Sequence, residues 1–136
     1  MQWLLDTNAW ILLLKSASEP LVNRLAEQQE GDVVLCSIVK AELWHGAHKY
    51  AKRNQRLERL AELFARHVSL PFNDAAAWEY AEIRDHLERQ GTVIGPNDLK
   101  IAAICRTHQV GLVTANLNEF QRVPGLISED WTRDRS

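Results

Sequence analysis

At 136 residues, with 46% hydrophobic and 25% charged side chains, the chain has the composition of one soluble globular domain, large enough to bury a core without staples. A net charge of −2 excludes a whole-molecule attraction to nucleic acid, so any such partner needs a local basic stripe. Two cysteines, Cys36 and Cys105, lie inside apolar segments without a Cys-x-x-Cys pair. They exclude a disulfide framework and read as two buried thiols in a reducing cytosol.

The chain is organised around its first eight residues. Trp3-Leu4-Leu5 is a short apolar run that ends abruptly at Asp6, as a buried central strand does in a sheet covered by helices. Ligand sites in that architecture lie outside the carboxyl ends of the strands, where Asp6 would stand. The start lacks a basic n-region and a small-residue cleavage site, and no apolar run approaches the ~20 residues of a membrane span. The expectation is a cytoplasmic protein with no membrane partner.

Asp6 or Thr7 can cap a short helix over Asn8–Leu14, and Ser18-Glu19-Pro20 opens a second helix to about Gln29. After Gly31-Asp32, Val33–Cys36 is a β-branched-rich buried strand, and Ser37 is positioned to cap a long helix, Ile38 to about Tyr50. Leu57, Leu60, Ala61 and Phe64 give the next helix, about Asn54 to Ala65, an apolar face. Val68–Leu70 reads as a third strand, followed by a helix capped at Asn73 or Asp74 and stopped by Gly91. Gly95-Pro96-Asn97-Asp98 is a turn that opens a helix to about His108. Gly111–Thr114 is a fourth strand, with Leu126-Ile127 as the candidate fifth. Alternating short apolar strands and helices imply a three-layer α/β/α fold with a short, mainly parallel sheet of four to five strands. A single domain is expected over residues 1–131, with 132–136 as a loose tail.

Four positions fall near strand ends or the helix starts that follow them: Asp6, Glu42, Asp98 and Asn116. Each has an ordinary alternative. Asp6 would serve as a helix cap, Glu42 as a solvated helix residue, Asp98 as a first-turn acid favoured by the helix dipole, and Asn116 as a turn residue. Their joint placement points instead to an acidic metal site, because hard cations such as magnesium prefer oxygen ligands and clustered carboxylates repel until a cation neutralises them. Lys49, Lys52, Arg53, Arg56 and Arg59 follow Glu42 at helical spacing and are candidates for phosphate contact, or form a solvated face or a site for an acidic partner. His45-Gly46-Ala47-His48 is not the zinc signature His-Glu-x-x-His. Trp10, Trp44 and Trp78 read as core or interface aromatics rather than base-stacking platforms.

Leu4–Asn8, Ser37–Ala47, Ile94–Ala103 and Leu112–Asn116 with Glu119-Phe120 resemble PIN domains, and more closely the VapC ribonuclease toxins of bacterial type II toxin–antitoxin operons. The resemblance runs from the first strand to Trp131. It implies that Asp6, Glu42 and Asp98 form an acidic triad, with Asp6 and Asp98 as direct Mg2+ ligands (Mn2+ as a substitute) and Glu42 close by. Many PIN domains carry an aspartate after the fourth strand, where this chain has Asn116. Either Glu119 supplies the missing carboxylate, or one metal is held firmly and a second only with substrate. The implied activity is hydrolysis of an RNA phosphodiester by water, leaving a 5′-phosphate and a 3′-hydroxyl, with tRNA or rRNA as the target. The implied partners are a second copy of the chain and a cognate VapB-type antitoxin, in a groove that Trp10, Leu13 and Leu14 are placed to line unless they are plain core. Two other readings stay open. One is a PIN-like module that binds RNA or protein without cutting. The other is an aspartyl-phosphate-type phosphohydrolase, which needs a second aspartate where this chain has Asn8.

Overall fold

The computed structural model describes residues 1–134. In chain order the elements are β1 (Trp3–Leu5), α1 (Thr7–Leu14), α2 (Glu19–Ala26), β2 (Val33–Cys36), α3 (Ser37–His48) and α4 (Arg53–Ala65). They continue with β3 (Ser69–Leu70), α5 (Asp74–Gln90), α6 (Pro96–His108), β4 (Gly111–Val113), α7 (Leu117–Phe120) and β5 (Ser128–Glu129). The strands form one sheet in the order β3-β2-β1-β4-β5, and every pairing is parallel. The expected α/β/α architecture is therefore present, with a sheet that is wholly rather than mainly parallel.

Burial follows the strand order. Leu4, Leu5, Val33 to Cys36 and Leu112-Val113 of the three inner strands are buried on both faces of the sheet. The outer strands β3 and β5 have two residues each and are only half-buried, which keeps the open sheet edges short. Helix α6 buries Leu99 and the unbroken run Ile101 to Cys105, as a helix enclosed on most sides must. It packs extensively on α5, whose Ile83 and Leu87 are fully buried. Both cysteines are free and buried.

Local signals account for most boundaries. Ser18 caps α2 by accepting the Leu21 N–H, and Asn73 caps α5 by accepting the Ala76 N–H. Gly91 ends α5 in the left-handed conformation, at φ 69°. Ser37 is not the cap of α3: that place falls to Cys36, without a side-chain bond, while Ser37 Oγ accepts the Phe72 N–H and ties the loop after β3 to the helix start. The fifth strand is Ser128–Glu129, not Leu126-Ile127. Leu126 is still held in a turn by its N–H to the Val123 carbonyl, and the ladder with β4 begins only at the Ile127 carbonyl, which accepts the Leu112 N–H at 2.8 Å.

The carboxyl-terminal segment is fastened across the sheet. Trp131 is buried edge-on against Trp3, with ring centroids 5.4 Å apart. Its indole N–H donates to Glu129, which also pairs with Arg24 at 3.1 Å. The Arg24 guanidinium stands 5.0 Å from the Trp131 ring centre. Beyond it, the Thr132 N–H and the Arg133 guanidinium bond back to Asp130. The loose end expected over 132–136 falls partly on residues 135–136, outside the described residues.

Candidate active site

The strand order fixes where a site can form. From β1 the chain winds outward through β2 and β3, then returns to place β4 on the other side of β1. The helices that follow β1 and β4 leave a crevice at the carboxyl ends of these two strands, the switch point where open α/β sheets bind ligands. Asp6 stands there, one residue past β1, with its N–H bonded to the Val113 carbonyl of β4 at 3.0 Å.

Asp6 also caps α1: its Oδ1 accepts the Ala9 N–H at 2.9 Å. The ordinary reading of this residue as a helix cap is thus correct and does not compete with a functional one. The Thr114 hydroxyl donates to the same carboxylate and accepts the Asn116 N–H at 2.9 Å. Asp6 is only 7% exposed. Burial first, then the charges of Glu42 and Asp130, push its carboxyl above the usual range against the opposing pull of the Thr114 and Ala9 hydrogen bonds.

Glu42 reaches the same region from α3 and accepts a hydrogen bond from the Thr7 hydroxyl at 2.7 Å. Asp98 lies in the first turn of α6, behind Gly95 and Pro96. Its carboxyl is pushed up to about 6, chiefly by burial and then by the charges of Glu119, Asp6 and Glu42. Asp6, Glu42 and Glu119 are thus all near enough to Asp98 for their charges to act on it. Asn116 is exposed at the start of α7, where it caps without a side-chain bond, while the charge of Glu119 one turn later acts on Asp98.

Among the described residues, no three His, Cys, Asp or Glu side chains stand grouped as a ready metal cage. Magnesium does not require one, since it commonly takes one or two carboxylates and keeps several waters. The donor set fits such an ion: it is all oxygen, and two of its carboxylates are desolvated and hard to ionise together, a penalty that a cation would relieve.

Comparison with known proteins shows the family. A family model described as the PIN domain matches residues 3–126. Ribonuclease VapC2 of Rickettsia felis is 34% identical over 134 residues, spanning 98% of this chain and all of that protein. The tRNA(fMet)-specific endonuclease VapC of Shigella flexneri is 34% identical over 132 residues, 97% of this chain and 99% of its own length. The chain belongs to the PIN-domain family of VapC ribonucleases. In the solved structure of DNA-bound VapBC from Salmonella typhimurium, a chain superposes with a TM-score of 0.89 at 33% identity, covering 96% of this chain and 98% of that one. The VapBC2 complex of Rickettsia felis on a promoter DNA fragment gives a TM-score of 0.86 at 34% identity, covering 96% and 99%.

In this PIN domain the acidic crevice adjoins a groove between α1, α3 and α4, lined by Ile11, Leu14, Leu43, Leu60 and Tyr50, with Glu42 also in its wall. Of the residues expected to line a partner groove, Leu14 does so; Trp10 is fully buried and Leu13 is packed against the core. The basic candidates Lys49, Lys52, Arg53 and Arg56 are all exposed around the turn from α3 to α4. Arg56 stacks on Tyr50 at 3.9 Å, and Arg59 donates to the Leu14 carbonyl at 3.4 Å. Trp44 and Trp78 are exposed rather than buried, at 43% and 68%. Three polar neighbours of the acidic group escaped the sequence reading: Thr7, Thr114 and Asp130. Thr7 directly follows Asp6 and Thr114 ends the expected fourth strand, a signal available in principle; Asp130 joins them only through the pairing of β5 with β4.

Proposed function

We propose that the chain is a divalent-metal-dependent endoribonuclease, with Mg2+ as the natural ion and Mn2+ as a substitute, acting as a toxin restrained by a cognate antitoxin. The observation that carries this reading is the desolvated carboxylate group at the β1/β4 switch point, in a chain of the VapC ribonuclease family. When bound, a divalent ion lowers the pKa of its water, polarises a phosphoryl oxygen and stabilises the leaving oxygen.

The protein's part is to hold and orient. Asp6 and Asp98 are the ligands we assign to the ion. Asp6 is fixed by its cap bond and by Thr114, and Asp98 by its place in the first turn of α6. Glu42, oriented by Thr7, is the carboxylate we assign to orient the attacking water and receive its proton. Glu119 is the auxiliary carboxylate, taking the electrostatic place that Asn116 leaves without charge. Lys49, Lys52, Arg53 and Arg56 supply positive charge where an RNA backbone would lie.

The substrate we propose is tRNA, since relatives from Shigella and Salmonella carry the name tRNA(fMet)-specific endonuclease. The proposed partner is a VapB-type antitoxin, as in the solved VapBC complexes, with an apolar segment of it in the groove beside Glu42. Induction of the chain alone in a bacterial host tests the toxin reading. Growth arrest and a discrete tRNA fragment, both absent in Asp6→Asn and both relieved by the antitoxin, are expected. Unimpaired growth and intact RNA with abundant soluble protein would bring the non-cleaving module forward.

A further inference from the structure

Two consecutive residues at the start of α1 serve two different carboxylates. Asp6 is itself one of the acidic group, and Thr7 turns its hydroxyl toward another, Glu42, across the contact between α1 and α3. Glu42 needs such a tether. Its side chain has three rotatable bonds, and it also lines the groove that holds the cations Lys15, Arg56 and Arg59. Among the described residues it pairs with none of them; Thr7 is the polar partner it has, at 2.7 Å. An untethered glutamate beside an aspartate pair and a set of cations would be drawn toward the cations, because like charges repel it on one side and opposite charges attract it on the other.

We propose that Thr7 is a positioning residue, whose hydroxyl keeps Glu42 turned to Asp6 and Asp98 and away from the cations of the groove. This inference rests on the metal-dependent reading above. It assigns Thr7 no contact with RNA or with the ion; it acts through Glu42 alone. The methyl group of Thr7 has no part in it, so serine must substitute and valine, of nearly the same shape, must not.

The test uses the full chain with Mn2+ as probe, together with RNA cleavage. A hydrogen bond to a charged group corresponds to about a tenfold to hundredfold effect. Thr7→Val is expected to lower kcat by about tenfold or more, with KM for RNA and the melting temperature little changed, and to weaken Mn2+ binding severalfold. Thr7→Ser is expected to restore both. In a Glu42→Gln background, where Asp6 and Asp98 still bind the ion, Thr7→Val is expected to leave Mn2+ affinity unaltered. Wild-type behaviour in Thr7→Val overturns the proposal, as does an equal loss in Thr7→Ser or an undiminished Thr7→Val effect in the Glu42→Gln background. If the wild-type chain binds no Mn2+ at all, the metal reading itself fails and this inference falls with it.

Discussion

Replacing Asp98 with asparagine should stabilise the metal-free protein while destroying its activity. The Asp98 carboxyl is raised from 3.8 to about 6 in the folded chain by burial and by Glu119, Asp6 and Glu42. The folded state therefore holds this proton more tightly than the unfolded chain does. Between about pH 4 and pH 6 folding takes up a proton, so stability falls as pH rises through that window and the full penalty is present above it. A shift of that size corresponds to about 3 kcal/mol. Asp98 is half-buried and within reach of water, so screening brings the expected penalty to about 1–2 kcal/mol. Asparagine carries no charge and escapes it. Urea or thermal unfolding in EDTA at pH 8 should find Asp98→Asn more stable by about 1–2 kcal/mol, or roughly 4–8 °C in Tm. The gap should shrink toward zero near pH 4, and saturating Mg2+ should narrow it at pH 8 by stabilising the wild type alone. A variant that is less stable than wild type at pH 8, or a gap independent of pH, would refute the reasoning.

Other perturbations separate the crevice from its surroundings. Lys52→Ala with Arg53→Ala, at the exposed start of α4, should raise KM for RNA and flatten the dependence of log K on log salt by about 1.4–1.8, with kcat retained; cleavage assays across a salt series check this. Gly111→Ala should destabilise the fold by about 3 kcal/mol or more, because its Cβ would come within 2.3 Å of Trp3 Cζ3 in the packed layer that also holds Trp131; denaturant unfolding measures it.

The sequence carried most of the fold because its strands are short, apolar and closed by polar residues with definite roles. Val33–Cys36 ends where the apolar run ends, and Gly91 stops α5 because only a residue tolerant of positive φ continues the chain there. Where the reading failed, a hydrogen bond that local pattern does not reveal had decided the matter. Ser37 has the chemistry of a cap but is engaged by Phe72, and Ile127 has the chemistry of a strand but is exposed at the end of a turn. Asp6, Glu42 and Asp98 were legible as acids near strand ends and helix starts. The bonds that orient them were not, since Thr7 to Glu42 spans 35 residues and Asp130 approaches Asp6 only through the β4–β5 register.

The most direct measurement is cleavage of tRNA by the purified chain with Mg2+ and with EDTA, wild type against Asp6→Asn. Asparagine still accepts the Ala9 N–H as a helix cap, so the variant should fold while losing a charged ligand. A metal-dependent nuclease centred on this crevice gives discrete fragments with 5′-phosphate ends for the wild type in Mg2+, none in EDTA, and a loss of about 10³-fold or more in Asp6→Asn. Equal cleavage in EDTA, or a fully active Asp6→Asn, would contradict it.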